Sequence, residues 1–296
     1  MTTALNDLSN ALADAVAAAD SYVVRVEGRR RMPASGILWN EDGVIVTANH
    51  VVRRDEGITV GLPGGKSAEA TLVGRDPSTD LAVLRTGGGQ GTPAPHSEEM
   101  RVGNLVLALG RPGRTVQATF GIISALGDEP WRSRAGGQID RYLQTDVVMY
   151  PGFSGGPLLS ASGQVLGLNS SALLRGVSLA LPTSTVNRVV DTLLTHGRMR
   201  RGYLGVSTQA VRLPAGTAGE LGQETGLLIV DVEAESPADQ GGLVLGDTIV
   251  GFDDGRVRHH DDLLALLSGD RVGKKVPVQI LRGGEVQSVN VTIGER

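Results

Sequence analysis

The sequence predicts a mainly β protein of two domains, the larger a β-barrel or sandwich and the smaller a mixed unit of strands and short helices. Three observations lead there. The chain has 296 residues, which suggests two domains rather than one. It holds 42 glycines, only 3% aromatic residues and 40% apolar residues, a composition suited to short strands joined by tight turns. From Tyr22 to Pro182, apolar runs recur at spacings near ten residues, each punctuated by Gly, Pro or Asp.

The elements follow in order. Residues 4–20 read as an amphipathic helix, with Leu5, Leu8, Leu12 and Val16 on one face. The runs YVVRV, GILWN, GVIVTA, GITVGL, EATLVG, LAVLR, LVLALG and ATFGIISAL read as strands, and QVLGLNSS and GVSLALP add two more. Val186, Val189, Val190, Leu193 and Leu194 then repeat at helical spacing. Thr183 or Ser184 is the expected cap of that helix and Gly197 its stop. The basic stretch GRMRRG reads as the domain boundary. Beyond it, TGLLIVDV, DTIVGFDD, KVPVQILR and SVNVTI are strands. SPADQGGL starts a short helix with Ser236 as cap and Pro237 in its first turn. DDLLALLSG is a second short helix, with Leu263, Leu264 and Leu267 expected inward. A turn carrying Gly246 and Asp247 separates two apolar segments.

Composition also excludes. A formal net charge of −4 points to no nucleic-acid partner. The clusters Arg29–Arg31 and Arg198–Arg201 are short and read as solvated element ends. No cysteine is present, so neither disulfides nor thiol chemistry enter. Asp7, Asp14 and Asp20 interrupt the first 20 residues and no basic segment precedes an apolar run, so no signal peptide is expected. No apolar stretch reaches about 20 residues, so no integral membrane segment is expected. The expected location is the cytoplasm.

The chemistry concentrates in three places. Ser154 lies in Gly152-Phe153-Ser154-Gly155-Gly156-Pro157, where glycines give the backbone freedom to aim the N–H groups of Gly152 and Ser154 at one point. A plain hairpin turn with a surface serine is the competing reading. Among the five histidines, His50 follows the apolar run GVIVTA, so a turn would hold it at a strand end. A histidine there is also commonly structural. Asp80 precedes the strongly apolar LAVLR, where a partly buried carboxylate needs a partner such as a histidine N–H. It also suits a turn. A serine nucleophile needs a base, and the base needs an orienting acid. The order His50, Asp80, Ser154 is that of the β-barrel serine proteases.

These residues carry a resemblance. VIVTANHVV, DPSTDLAVL, YLQTDVVMYPGFSGGPLL and GVSLALPTSTV, followed by RRGYLGV, ESPADQGGLVLGDTIVGFDD and LLALLSGDRVGKKVPVQILRGG, resemble the HtrA/Deg family of serine proteases over nearly the whole chain after Tyr22. The resemblance implies a mainly β fold, a chymotrypsin-like double β-barrel followed by a small α+β PDZ domain. It divides the chain into an N-terminal amphipathic helix at 1–20, a trypsin-like serine protease domain at 21–198 and a PDZ domain at 199–296. It assigns His50 as general base, Asp80 as its orienter, Ser154 as nucleophile, and the N–H groups of Gly152 and Ser154 as the oxyanion hole. Hydrolysis would pass through an acyl-enzyme, with no metal or organic cofactor. Val148, Met149, Leu168 and Leu179 fall near the segments that line the family's primary specificity pocket. With no acid among them, they suggest a small-to-medium apolar preference. The family usually has Asn before the serine. Here Phe153 stands there, where its bulk could misdirect the Gly152–Phe153 peptide or narrow the cleft.

The resemblance implies that Tyr203-Leu204-Gly205-Val206 receives the carboxylate of a peptide C-terminus, beside a groove helix at 261–267. His259 and His260 at its start read as a solvated cap. The implied partners are unfolded polypeptide substrates, peptide C-termini at the PDZ domain, and further copies of the chain. Family members commonly trimerise through the protease domain's N-terminal segment, often with aromatic contacts, and Tyr22 is the aromatic residue offered there. The loop from Gly127 to Gln138 matches a ligand-sensing region in relatives and equally suits a flexible hairpin tip. The implied activity is an ATP-independent serine endopeptidase acting on unfolded or damaged proteins. The alternative is a proteolytically inactive, PDZ-containing binding or chaperone-like protein.

Overall fold

The computed structural model describes residues 2–30, 32–87, 91–133, 135–200, 202–267 and 271–295, so Arg31 and Arg201 of the basic clusters and Arg134 of the 127–138 loop lie outside the described residues. Two compact units form, Met1–Met199 and Arg200–Arg296.

The first unit holds two closed six-stranded barrels. The N-terminal barrel runs Val23–Glu27, Ala34–Leu38, Val44–Ala48, Leu81–Arg85, Ser67–Asp76 and Ile58–Gly61, closing back on the first strand. The C-terminal barrel runs Leu143–Thr145, Ser178–Pro182, Val165–Ser170, Pro157–Ser160, Leu105–Gly110 and Gln117–Leu126. All neighbours within each barrel are antiparallel. The strands Leu143–Thr145 and Pro157–Ser160 escaped the sequence reading because each is very short and the second opens inside a Gly-Pro run. Ala34–Leu38 and Val44–Ala48 are buried at every position, since each faces the barrel interior on one side and packed protein on the other.

Helix Thr2–Ala19 docks with its second half only. Ala15 and Ala19 are buried and Leu12 and Val16 pack on the core, whereas Leu5 and Leu8 are exposed at 69% and 41%. Helix Thr183–His196 buries Val186, Val189, Val190 and Leu193, each worth about 1.5–3 kcal/mol. The expected cap is corrected. Pro182 occupies the cap position with no side-chain cap bond, because the Thr183 hydroxyl is already donated to the Ser97 carbonyl at 3.1 Å. Tyr22, expected as an intersubunit aromatic contact, is buried instead. Its hydroxyl donates to the Gly163 carbonyl at 3.1 Å, and burial pushes the phenol up to about 12.

The barrels are joined by Ser35, which is fully buried. Its N–H donates to the Ser154 carbonyl at 3.2 Å and its hydroxyl to the Gly152 carbonyl at 2.6 Å. That same hydroxyl accepts the Arg111 N–H at 2.7 Å. The approach is so close that a Cβ at Gly155 (φ +88°) would stand 2.1 Å from the Ser35 carbonyl oxygen and 2.4 Å from the Thr47 hydroxyl.

The second unit is a sheet in the order Val206–Arg212, Thr225–Val232, Thr248–Phe252, Lys275–Arg282, Glu285–Thr292, with Gly255–Arg256 paired to the third strand. Val206–Arg212 is an edge strand. The core gathers Leu204, Leu227, Ile229, Ile249, Phe252, Val278, Ile280 and Val291. Helix Pro237–Gly241 has the predicted cap, the Ser236 hydroxyl accepting the Asp239 N–H at 3.2 Å. In helix His260–Leu266, Leu263 is buried but Leu264 is exposed at 57%, a correction to the expected inward set. One residue of offset on a helix turns a side chain about 100° away, here out of the core. Asp247 is buried and receives Arg282 on both oxygens at 2.7 Å, plus the Val244 N–H at 2.8 Å. Burial pushes its carboxyl up, but the Arg282 hydrogen bonds, the Val244 N–H and the Arg282 charge outweigh this and hold it below the usual carboxylate range.

Two outcomes are expected. Gly155→Ala combines a left-handed φ with overlap of backbone oxygen and should cost about 2–5 kcal/mol. A shift of the urea midpoint smaller than the one such a loss produces overturns the close-approach argument. Arg282→Ala strands a buried carboxylate and should cost about 1.5–3 kcal/mol at neutral pH. Because the folded-state pKa of Asp247 is depressed, its contribution is present above the ordinary carboxylate range and is lost as pH falls through the folded value. Hydrogen exchange of Lys275–Arg282 at pH 7 and near pH 3 reads both effects, and equal protection in wild type and variant at pH 7 would falsify them.

Candidate active site

The acid is placed by a turn that its own side chains build. In Asp76-Pro77-Ser78-Thr79-Asp80, the Asp76 carboxylate accepts the Ser78 N–H at 3.0 Å, the Ser78 hydroxyl at 2.5 Å and the Thr79 hydroxyl at 2.7 Å. This local network competes with strand extension and turns the chain. Asp80 then sits at φ +61°, a left-handed conformation that Asp tolerates better than most residues. The hairpin Trp131–Arg132 with Gln138–Ile139 is seated on this turn, its Ser133 hydroxyl donating to the Ser78 carbonyl at 2.5 Å.

His50 lies in the single 3-10 turn Asn49–Val51 that ends the strand Val44–Ala48. Asp80 holds it twice. One carboxylate oxygen accepts the His50 backbone N–H at 2.9 Å, and the other pairs with the ring Nδ1 at 2.8 Å. The second oxygen also accepts the Ser170 hydroxyl at 2.5 Å. The Asp80 side chain is 8% exposed and that of His50 27% exposed, so the ring bridges a buried acid and the solvent side. A carboxylate fixed on Nδ1 leaves Nε2 as the free, basic nitrogen.

Ser154 follows a Pro-Gly turn. The Phe153 N–H donates to the Tyr150 carbonyl at 3.0 Å, with Pro151 second and Gly152 third at φ +93°, the pattern of a type II turn. Asn169 clamps the loop beyond the serine. Its carbonyl accepts the Gly155 N–H at 2.8 Å, its N–H donates to the Gly156 carbonyl at 2.9 Å, and its side chain donates to the Pro157 carbonyl at 2.7 Å. Phe153 points inward. It is fully buried, packs where Gly110 leaves no Cβ, and meets Tyr150 edge-on at 5.8 Å. It therefore takes no space from the cleft, contrary to the expectation that its bulk narrows it. Among the described residues, neither the Gly152 N–H nor the Ser154 N–H has an acceptor, although both residues are buried.

The serine hydroxyl pairs with the Ser171 hydroxyl at 3.0 Å and accepts the Ser171 N–H at 3.4 Å, and no hydrogen bond joins it to His50. Catalytic hydrogen bonds commonly tighten only when substrate is bound. Of the expected pocket residues, Val148 is exposed at 54% and Met149 is half-buried against the barrel core. Leu168 and Leu179 are 0% and 1% exposed and belong to the core, so they offer no surface to a substrate side chain. Ser35, Asn169, Ser170 and Ser171 were missed. The last three sit at the end of a run read only as a strand, and Ser35 carried no local signal. His96 is structural, stacked on Trp39 at 3.9 Å between ring centroids.

In the second unit, Tyr203, Leu204, Gly205 and Val206 line a groove of about 600 Å³ with Ser207, Thr208, His260, Leu263, Leu264 and Leu267. Leu264 thus faces the groove. His259 takes the cap position and both histidines are exposed, as expected, while His260 also lines the groove with its Nε2 2.9 Å from the Thr208 carbonyl, one helical turn from Leu264. The N–H groups of Leu204 and Gly205 have no acceptor among the described residues.

Comparison with known proteins agrees with this geometry. Residues 34–168 match the trypsin-like peptidase domain and residues 202–293 the PDZ domain. A protein of Ectopseudomonas mendocina described as a probable periplasmic serine endoprotease, DegP-like, is 36% identical over 269 residues, covering 88% of this chain and 56% of the relative. A relative of the same description from Rhizobium meliloti is 37% identical, covering 91% and 55%. The chain thus spans a little over half the length of these curated relatives. The structure of the HtrA-type protease AlgW with a decapeptide superposes with a TM-score of 0.77 at 28% identity, covering 96% of this chain and 98% of that one. The serine endoprotease from Yersinia pestis superposes with a TM-score of 0.77 at 31% identity and the same coverage. With two closed barrels, a PDZ-like sheet and this likeness along its length, the chain belongs to the HtrA/Deg family of serine proteases.

Proposed function

We propose that the chain is an ATP-independent serine endopeptidase in which His50 is the general base, Asp80 its orienter and Ser154 the nucleophile. The carrying observation is the buried Asp80 carboxylate fixed on His50 Nδ1 beside two unclaimed N–H donors at Gly152 and Ser154. His50 Nε2 takes the proton as Ser154 Oγ attacks the scissile carbonyl, then gives it to the leaving amine. The N–H groups of Gly152 and Ser154 receive the negative charge that develops on the carbonyl oxygen. Water repeats the sequence on the acyl-enzyme and restores the serine. Val148 and Met149 remain the candidates to meet a small-to-medium apolar side chain before the cut.

The PDZ-like unit supports a second part of the proposal. An edge strand, an adjacent helix and free N–H groups at Leu204 and Gly205 suit a peptide C-terminus added as a further strand. Unfolded or damaged polypeptides are the substrate class, and bound peptide ends regulate their hydrolysis. Assembly into a homotrimer or larger homo-oligomer is drawn from Leu5 and Leu8, exposed apolar residues on the N-terminal helix. The relatives are described as periplasmic. A chain without cysteine folds free of any redox requirement, so the cytoplasmic expectation and that compartment suit it equally.

Casein digestion and labelling by a fluorophosphonate probe should both occur in the wild type and vanish in Ser154→Ala. If neither occurs in the wild type, the endopeptidase reading fails and the PDZ-containing binding protein takes its place. Asp80→Asn should lower kcat by about 10⁴ with KM little changed, since it disturbs the tautomer and orientation of His50 rather than substrate contact. A loss below tenfold rules Asp80 out as the orienting acid.

A further inference from the structure

Arg29 and Arg30 lie in the short connection between the strands Val23–Glu27 and Ala34–Leu38, and Arg53 and Arg54 follow His50. The fold brings the two pairs together. The Arg53 N–H donates to the Gly28 carbonyl at 2.8 Å, and the Arg54 guanidinium donates to the Glu27 carbonyl at 2.8 Å. The backbones touch because Gly28 has no Cβ; one there would lie 3.1 Å from Val52 Cα. The four arginines line a cavity of about 610 Å³ to which no acidic side chain among the described residues contributes. Among the described residues, Arg30 and Arg53 form no ion pair, while the next acid along the chain, Asp55, is engaged by Arg75 at 2.5 Å. Arg29 donates to the Met32 carbonyl at 3.0 Å; the like charges of Arg30, Arg53 and Arg54 around one cavity repel, so an entering anion relieves that repulsion as well as pairing. Arg30, Arg53 and Arg54 are exposed, in keeping with the solvated-end reading of the 29–31 cluster, and the fold adds their convergence on one cavity.

The cavity sits beside the reaction centre. Arg53 is three residues from His50, so their Cα atoms are at most about 11 Å apart. Arg30 is three residues from Pro33, whose carbonyl oxygen lies 3.0 Å from where a Gly152 Cβ would stand. On the proposed mechanism, the carbonyl half of the scissile bond points at Gly152 and Ser154 while the amine half faces His50, which protonates it. Chain on the amine side therefore passes His50 towards the residues that follow it.

We propose that Arg29, Arg30, Arg53 and Arg54 form a subsite for acidic side chains on the leaving-group side of the scissile bond. The proposal rests on the endopeptidase reading above. It makes Asp and Glu a few residues after the cut a determinant of substrate choice, independent of the apolar side chain before it. The contribution is electrostatic and solvent-exposed, so it falls with added salt.

The test uses three quenched-fluorescent peptides, identical except for Asp-Asp, Asn-Asn or Lys-Lys at the second and third positions after the cut. The wild type should cleave the Asp-Asp peptide with a kcat/KM about three- to tenfold above the Asn-Asn peptide at low ionic strength. That ratio should approach one near 1 M salt, where the screening length is about 3 Å. The double variant Arg30→Glu, Arg53→Glu should reverse the order and favour Lys-Lys, an outcome that misfolding cannot imitate. Equal cleavage of all three peptides by the wild type, or an acidic preference that survives in the double variant, overturns the subsite and leaves the endopeptidase standing. Absence of all cleavage together with absence of fluorophosphonate labelling overturns the endopeptidase reading, and the subsite with it.

Discussion

The site depends on the direct backbone contact between the two barrels at Ser35. His50 and Asp80 come from the N-terminal barrel, Gly152 and Ser154 from the C-terminal one. The proposed mechanism requires their relative placement to hold to about 0.5 Å. Ser35 fixes it with three bonds, to the Ser154 carbonyl, the Gly152 carbonyl and the Arg111 N–H, the last two short at 2.6 and 2.7 Å. Its own carbonyl accepts the Thr47 hydroxyl at 2.7 Å, which ties the joint back into the strand leading to His50. All of this occurs where water is excluded, so each bond is stronger than at the surface and each unmade bond would cost more. Ser170 adds a fourth tie from the other direction, donating from the C-terminal barrel to Asp80.

Much of this was legible in the sequence, and the divide is physical. Local, periodic features could be read: the long strands, the helix from Thr183 to His196, the Ser236 cap and the positions of His50, Asp80 and Ser154 all announce themselves within a few residues. Contacts between distant segments could not. Ser35 lies 117 residues from Gly152, and Ser170 lies 90 from Asp80; a serine in a strand looks the same whether it joins two barrels or faces solvent. Pairing by loops was hidden likewise. Arg29–Arg30 and Arg53–Arg54 are ordinary dibasic steps until Gly28 and Val52 bring them together. Leu264 shows the remaining kind of miss, since an apolar residue serves a core and a groove equally well.

Phe153 is instructive because its effect reverses when its direction is known. In the sequence it stands beside the nucleophile and threatens the cleft. In the structure the residue before Ser154 points into the core of the C-terminal barrel. Its ring fills the space that Gly110 leaves and meets Tyr150 edge-on, anchoring both ends of the turn. The orientation of the Gly152–Phe153 peptide is then set by the type II turn and by the Ser35 bond to the Gly152 carbonyl.

The two units handle negative charge by one physical device. Each leaves backbone N–H groups without a protein acceptor, at Gly152 and Ser154 in one and at Leu204 and Gly205 in the other. Buried donors are almost always paired, so such unclaimed N–H groups are informative. Each loop is held open by a positive-φ glycine whose side-chain space is already occupied: a Cβ would stand 2.6 Å from Pro112 at Gly152 and 2.2 Å from Ser236 at Gly205. The difference lies in when the charge exists. A peptide carboxylate is charged before it arrives, so on the proposed reading donors at Leu204 and Gly205 would yield affinity. On the proposed mechanism the oxyanion exists only as the bond to Ser154 forms, so the same kind of donor at Gly152 and Ser154 would lower a barrier rather than tighten a ground state. On that reading identical backbone chemistry serves recognition in one unit and rate in the other, according to what the neighbouring side chains present.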